Sequence, residues 1–268
     1  MLEIFQYDFM LNAILASVLA SIACGIIGTY IVIKRLVFLS GGISHSAYGG
    51  IGLGYLFSFN PIFGAVGSSI LGAIFVSIMR KNKLENEDTL IGIIWALGMA
   101  LGVMFIGLSP GYAPDLMSYL FGNILTVSKS ELLLMAIANV IIIFLVSIFF
   151  KQFQAITFDE EYARTIGLKV DLYYLILFVL IALTIVLLIK LVGIILVIAL
   201  LTIPAAISKM FSKSLFTMMI YSILFGLTFT VVGLLISYYL NLPSGSTIII
   251  ISVIGYFIAF TINKFVNN

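Results

Sequence analysis

Residues 172–206 read LYYLILFVLIALTIVLLIKLVGIILVIALLTIPAA and contain a single charged residue, Lys190. A helix needs roughly 20 mostly apolar residues to cross the hydrocarbon core of a bilayer, so this run is long enough for two crossings. Lys190 and Gly193 interrupt the run near its middle, where a charge and a glycine suit a tight turn. We therefore predict two spanning helices here, Leu172–Ile189 and Val192–Ser208.

The rest of the chain has the same character. Of its 268 residues, 63% are hydrophobic and only 9% are charged, whereas an average soluble domain is ~45–50% apolar and ~25% charged. Such a chain cannot cover a water-facing surface, which excludes a soluble enzyme, a nucleic-acid-binding protein and a disordered chain. The composition indicates an integral membrane protein surrounded by lipid.

Applied along the whole sequence, the same length criterion predicts an all-α, polytopic membrane protein with about nine transmembrane or membrane-embedded helices in a single permease domain, residues 1–268. The seven further candidate segments are Phe9–Ile33, Ser40–Phe57, Pro61–Met79, Leu90–Leu108, Glu131–Phe150, Leu215–Leu240 and Ser246–Ile262. Asp115–Ser128 is apolar but short, so we interpret it as a re-entrant or interfacial segment.

The basic residues predict the orientation, because Lys and Arg favour the cytoplasmic ends of spanning helices. With the N-terminus outside and nine crossings, the C-terminus is cytoplasmic and only Lys129 and Lys190 lie on the outer side. The remaining basic residues then lie inside: Lys34, Arg35, Arg80, Lys81, Lys83, Lys151, Arg164, Lys169, Lys209, Lys213 and Lys264. The expected location is the cytoplasmic (inner) membrane.

His45 is the only histidine, and it lies within the second predicted span. Ionisable groups inside a bilayer are costly and usually line a pathway, and imidazole is a common ligand of zinc-like ions. We therefore predict that His45 is a transient metal ligand, with Ser44, Asp115, Asn123 and Asn241 as further pathway residues. Glycines on the same helix, among them Gly49 and Gly50, predict close helix packing near the centre of the bundle.

No GxxxxGK[ST] phosphate-binding loop occurs in the sequence, so any ATP hydrolysis belongs to a separate subunit. The longest charged segment, residues 158–170 (FDEEYARTIGLKV), offers that subunit a docking element. Acidic residues begin the predicted helix, which suits its macrodipole, and Gly167 follows as a stop signal. An ordinary solvated linker helix is the alternative interpretation.

Several segments together resemble the ABC-3 family of membrane permeases, which serve ATP-dependent zinc, manganese and iron importers. The similarity extends over nearly the whole chain and rests on the following segments: GTYIVIKR at 28–35, SHSAYGG at 44–50, DTLIGI at 88–93, DLMSYLFG at 115–122, FDEEYARTIGL at 158–168, LLTIPAA at 200–206 and PSG at 243–245. Each motif alone is weak, but their order and spacing are specific.

The resemblance implies a permease similar to those of type II ABC importers, with no enzymatic activity and no cofactor bound by this chain. It implies a homodimer, two cytoplasmic ATPase subunits that use ATP, and an extracytoplasmic metal-binding protein. The implied coupling residues are Asp159, Glu160, Glu161, Ala163 and Gly167, and the implied packing or hinge residues include Pro204, Pro243 and Gly245. The implied cargo is a divalent metal ion, zinc or manganese.

The sequence departs from the family pattern where a metal ion would pass. Gly41 stands where relatives commonly carry Asp, and Ala96, next to Trp95, stands where they often carry His. Asn123 and Asn241 replace acidic residues. Two alternatives therefore stay open: an ABC permease for a non-metal substrate, and an ion-coupled secondary transporter, although the latter would ordinarily place acids within its spans.

Overall fold

A computed structural model describes residues 7–82, 87–110 and 122–267 of the chain, and within these ranges every regular element is helical. The helices, in chain order, are α1 (Asp8–Ile33), α2 (Val37–Leu56), α3 (Pro61–Asn82), α4 (Glu87–Leu108), α5 (Lys129–Ile148), α6 (Phe150–Phe158), α7 (Glu160–Thr165), α8 (Val170–Phe211), α9 (Leu215–Leu240) and α10 (Ser244–Asn267). A 3-10 turn, Ile124–Thr126, precedes α5. The predicted all-α, polytopic fold is confirmed.

Eight helical segments in the described part of the chain are long and apolar enough to cross a membrane. Two of them belong to α8, whose 42 residues are interrupted at Gly193. Gly193 has φ 79 and ψ 159, a conformation that glycine adopts without steric cost. The predicted division of the long apolar run at this residue is confirmed.

Helix α2 corresponds to the second predicted span, Ser40–Phe57, and it is the one of the nine that is not apolar enough to count among the eight. It is nevertheless a continuous helix of 20 residues, and most of it is buried. Its hydropathy is low because glycine, serine and His45 occupy many of its positions. These same small residues let neighbouring helices approach its backbone closely.

The fifth predicted span, Glu131–Phe150, differs from the structure at its end. Helix α5 ends at Ile148, and the separate helix α6 follows, which a hydropathy criterion does not predict. Phe153 and Ile156 of α6 are fully buried, and the ring of Phe153 makes edge contacts with Phe149 and Tyr173. The charged and polar positions of α6 hide this aromatic face from a hydropathy criterion.

The chain divides into two compact units. The first comprises Met1–Lys34, Met117–Phe144 and Leu187–Asn268. The second comprises Arg35–Leu116 and Leu145–Val186. The single permease domain stays a prediction, and each unit is described by itself.

In the first unit, α1 packs against α9 and α9 packs against α10. Gly25 permits the first contact, because a Cβ there would lie 2.7 Å from the backbone nitrogen of Ile223. The side-chain amide of Asn139 on α5 donates to the carbonyl of Leu19 on α1 at 3.1 Å, a polar link of the kind that joins membrane helices.

The described part of the predicted re-entrant segment, residues 122–128, belongs to the first unit and holds the 3-10 turn rather than a spanning helix. The side chain of Asn12 on α1 donates to the carbonyl of Val127 at 3.2 Å. Gly122, with φ 59, lies so close to Val192 and Gly193 that a Cβ would overlap their backbone. Residues 111–121 lie outside the described ranges.

The predicted hinge residues of the first unit have distinct positions. Pro204 is buried and lies inside α8, which continues past it. Pro243 is exposed immediately before α10, and its carbonyl accepts a hydrogen bond from the backbone N–H of Thr247 at 3.1 Å. Gly245 is buried in the first turn of α10. Whether any of them acts as a hinge stays a prediction.

In the second unit, α2 packs against both α3 and α4. Gly50 of α2 faces Gly64 of α3 so closely that a Cβ on either residue would overlap the carbonyl oxygen of the other. Helix α4 approaches α2 equally closely. A Cβ at Gly98 of α4 would lie 2.6 Å from the carbonyl oxygen of His45, and a Cβ at Gly49 of α2 would lie 3.1 Å from the carbonyl oxygen of Gly98. Backbone contact on two sides therefore fixes α2 within this unit.

We predict that Gly50→Ala destabilises the second unit, whereas Gly67→Ala on α3 does not. The added methyl at position 50 meets a rigid backbone oxygen, and overpacking of this kind costs ~1–3 kcal/mol. At Gly67 nothing lies within 4 Å of an added Cβ. Thermal unfolding of the detergent-solubilised protein checks this, and equal midpoints for the two variants would contradict the close approach of α2 and α3.

Candidate functional site

His45 lies on α2 with its ring stacked on the indole of Trp95 of α4. The two ring centroids are 4.3 Å apart and the planes differ by 15°. Met99, four residues after Trp95 and therefore on the same face of α4, places its Sδ 3.0 Å from Nδ1 of His45. Trp95 and Met99 thus define the position of the imidazole.

The contact with Met99 indicates which imidazole nitrogen is available to a ligand. A thioether sulfur has no proton and acts only as a weak acceptor, so a hydrogen bond between the two requires the proton on Nδ1. Nδ1 then donates to Sδ, and Nε2 of His45 keeps its lone pair. Metal-ligating histidines commonly donate their second ring N–H to a carboxylate, a carbonyl or water, and here a thioether sulfur takes that position.

Gly41 is required by the position of Trp95. A Cβ at residue 41 would lie 2.8 Å from Cζ3 of the indole, closer than real Cβ atoms approach other atoms. The indole therefore occupies the space into which any longer side chain at this position would project. The glycine that departs from the family pattern at position 41 is therefore matched to the indole of Trp95, a contact that the sequence alone does not reveal.

Ser44 and His45 are adjacent in sequence but have different surroundings. Ser44 is fully buried, and its hydroxyl donates to the carbonyl of Ser40 at 2.7 Å within α2. His45 is only partly buried. Asp115, a further predicted pathway residue, lies outside the described residues.

Asn123 and Asn241 belong to the first unit, and each has a local structural function. The side-chain oxygen of Asn123 accepts from the backbone N–H of Leu125 at 3.1 Å and caps the 3-10 turn. Asn241 ends α9 in the left-handed conformation with φ 52, which asparagine tolerates better than most residues. Both are exposed, and their part in a pathway stays a prediction.

The described residues include no group of three or more His, Cys, Asp or Glu side chains that could hold a metal ion. Cys24 is buried in α1. Helix α2 has no acidic residue, and those of α4 are its first two, Glu87 and Asp88. The described side-chain contacts of the His45 imidazole are therefore the indole of Trp95 and the thioether of Met99.

Helix α7 has defined caps at both ends. Its N-cap is Asp159, whose carboxylate accepts from the backbone N–H of Tyr162 at 2.9 Å. At the other end Gly167 has φ 81, and its N–H donates to the carbonyl of Arg164 while that of Leu168 donates to Ala163. This pair of bonds is a Schellman motif. The helix start and the stop signal predicted at these residues are confirmed.

The predicted coupling residues of α7 divide between two faces. Ala163 is fully buried and Glu160 is partly buried, because it pairs with Arg80 of α3. Glu161, Tyr162 and Ile166 are exposed, the last two by 59% and 53%. The outer face therefore combines an acidic side chain with two large apolar ones and is available to a partner.

Residues 6–263 match the sequence profile of the ABC 3 transport family. The chain is 50% identical over 264 residues to an uncharacterized membrane protein of Synechocystis sp., covering 98% of this chain and 94% of the relative. It is 31% identical over 257 residues to the manganese import system permease protein ScaB of Streptococcus gordonii, covering 96% and 92%.

The fold is similar to that of PsaBC from Streptococcus pneumoniae, solved in complex with a Fab. The TM-score is 0.86 at 32% sequence identity, and the similarity covers 96% of this chain and 92% of that chain. The likeness therefore extends over the helices of both units.

We predict that Gly41→Ala displaces Trp95 from His45. Because Trp95 is the only tryptophan of the chain, fluorescence of the purified protein excited selectively at tryptophan reports on the surroundings of this one indole. We expect a changed emission maximum or intensity for Gly41→Ala and none for Gly92→Ala, where an added Cβ has open space. An unchanged spectrum in Gly41→Ala would show that the indole does not pack on residue 41.

Proposed function

The chain belongs to the ABC 3 transport family, and from this premise we propose that it is the membrane-spanning permease of an ATP-driven importer of divalent metal ions. The observation that carries the proposal is the likeness to a manganese permease and to PsaBC over nearly the whole chain. The chain is not itself an enzyme, and a separate subunit hydrolyses ATP. An extracytoplasmic binding protein delivers the ion.

His45 is the proposed pathway ligand within the second unit. An ion that loses water inside a low-dielectric bundle needs replacement donors, and Nε2 of His45 is directed away from Met99 with its lone pair available. Imidazole suits zinc, whereas manganese prefers carboxylate and carbonyl oxygen. The imidazole of His45 therefore supports zinc as the ion. Because a relative is named as a manganese permease, Mn²⁺ is the ion to use as competitor in a test.

A second copy of the chain is the proposed source of the missing ligands. One imidazole cannot hold a zinc-like ion, which commonly takes four ligands. A two-fold axis passing beside His45 would bring two imidazoles together, because each copy contributes the same surface to such an interface. Ala96 and Gly92 of α4 are exposed next to Trp95 and leave room for that approach.

The outer face of α7 is the proposed docking surface of the ATPase subunit. Glu161, Tyr162 and Ile166 are exposed on a helix whose two ends are capped, so the surface is presented without further ordering. The proposed orientation places α7 in the cytoplasm, with the N-terminus outside and the C-terminus inside. The distribution of Lys and Arg supports it.

We predict that His45→Gln lowers uptake of Zn²⁺ by the assembled complex by at least ~10- to 100-fold. Glutamine restores hydrogen bonding but is a poor ligand for zinc-like ions, so expression and assembly should be normal. Uptake of radioactive Zn²⁺ into proteoliposomes, with Mn²⁺ as competitor, is the measurement. Full uptake in this variant would contradict the ligand function, and preferential competition by Mn²⁺ would contradict the choice of zinc.

We predict that Gly167→Val uncouples ATP hydrolysis from uptake, whereas Gly167→Asn does not. A β-branched residue at φ 81 is strained by ~1–2 kcal/mol, and an added Cβ touches nothing, so the effect arises from the backbone alone. Asparagine tolerates this conformation and serves as the matched control. Co-purification of the ATPase and ions transported per ATP hydrolysed are measured, and wild-type values in Gly167→Val would make α7 an ordinary linker.

A further inference from the structure

We propose that the ion pair between Arg80 and Glu160 is the connection through which movement of α7 reaches the spanning helix α3. The inference rests on the proposed function, because it takes α7 as the element that receives the ATPase. Arg80 and Glu160 are thereby positioning residues, which act on the pathway through other groups and do not touch the ion.

Arg80 reaches out of the last turn of α3 and is held on two sides. Its Nη2 lies 2.5 Å from Oε2 of Glu160 at the start of α7. Its Cζ lies 3.5 Å from the centroid of the Tyr174 ring on α8, a cation–π contact. Only 16% of the Arg80 side chain is exposed, so solvent screens this pair less than it screens a surface ion pair.

Glu160 is equally constrained, because both of its oxygens accept hydrogen bonds. Oε2 also accepts from the hydroxyl of Tyr174 at 3.2 Å, and Oε1 accepts from Nη2 of Arg164 at 3.1 Å. Partial burial raises the pKa of the Glu160 carboxyl, but the charge of Arg80 and these hydrogen bonds lower it by more, so the net pKa lies below its ordinary value. The ion pair is therefore fully formed at neutral pH and is lost only as the pH falls through this lowered pKa.

The position of the ion pair would carry a movement from α7 to α3. Helix α7 is six residues long, is capped at both ends and presents Tyr162 and Ile166 outward, so a partner that pushes on its outer face moves it as one body. On the inner side, Glu160 pulls or pushes Arg80 and with it the end of α3. Helix α3 in turn contacts the backbone of α2, the helix of His45, where Gly64 meets Gly50.

The other side-chain contacts of Glu160 are with Arg164 and with Tyr174 of α8. Arg164 is on α7 itself, and it also pairs with Asp171 at the start of α8 at 2.7 Å. The Arg164–Asp171 pair is more exposed, since 48% of the Arg164 side chain is accessible. It offers a control of the same chemical type with no direct ion pair or hydrogen bond to α3, since the charges of Lys81 and Arg80 act on Asp171 only at longer range.

The test measures ATP hydrolysis and Zn²⁺ uptake on the same proteoliposomes containing the complete complex of permease and ATPase. Arg80→Gln and Glu160→Gln should each lower the number of ions transported per ATP by roughly tenfold, while the complex still assembles. A tenfold loss corresponds to an interaction energy in the middle of the range found for residues in contact. The double variant should be no worse than either single variant, because both changes remove the same contact. Asp171→Asn should retain the wild-type ratio.

A wild-type ratio in Arg80→Gln would overturn the proposal, and so would additive losses in the double variant. A parallel loss of assembled complex, hydrolysis and uptake with an unchanged ratio would also overturn it, since a merely structural pair predicts that result. These outcomes are distinct from failure of the proposed function, which would appear as the absence of ATP-driven Zn²⁺ uptake by the wild-type complex.

Discussion

The contacts between backbones on the two sides of α2 are the constraint on which the second unit depends. In a bilayer no hydrophobic effect drives helices together, so association relies on close packing, which small residues permit. Gly50 and Gly64 bring α2 onto α3, and Gly98 brings α4 onto the backbone at His45 and Ser46. Only with α4 at this distance can the indole of Trp95 lie flat on the imidazole of His45. The stacking of Trp95 on His45 in the candidate site therefore depends on the glycines that let α2, α3 and α4 approach one another.

The end of the same unit that carries α7 is held by contacts of a different kind. Here the contacts are charged and directional, between Arg80, Glu160, Arg164 and Asp171, and they are anchored on the buried ring of Tyr174. Glycine contacts hold α2 and α3 together backbone to backbone, whereas an ion pair acts between two defined groups. The proposed mechanism uses both properties, since it requires membrane helices that stay packed while α7 moves.

Much of the fold could be predicted from local pattern. Long apolar runs located the spans, Gly193 divided α8, and Asp159 and Gly167 bounded α7, because each of these signals acts within a few residues. Helix α6 was missed because its aromatic face alternates with polar positions such as Lys151 and Gln152. The contacts of His45 with Met99 and of Arg80 with Glu160 join residues far apart in sequence. No periodicity encodes them, and they follow only from the way the helices pack.

The interruption of α8 at a single glycine also bears on how many times the chain can cross a membrane. As one continuous helix of 42 residues, α8 would be about 63 Å long, roughly twice the hydrocarbon thickness of a bilayer. With Gly193 interrupting it, the run supplies two segments of 20 residues, Val170–Ile189 and Val192–Phe211, and each has a length suited to one crossing. The number of crossings in the proposed topology, and with it the side of the membrane that this topology assigns to the C-terminus, therefore depends on one residue with a positive φ.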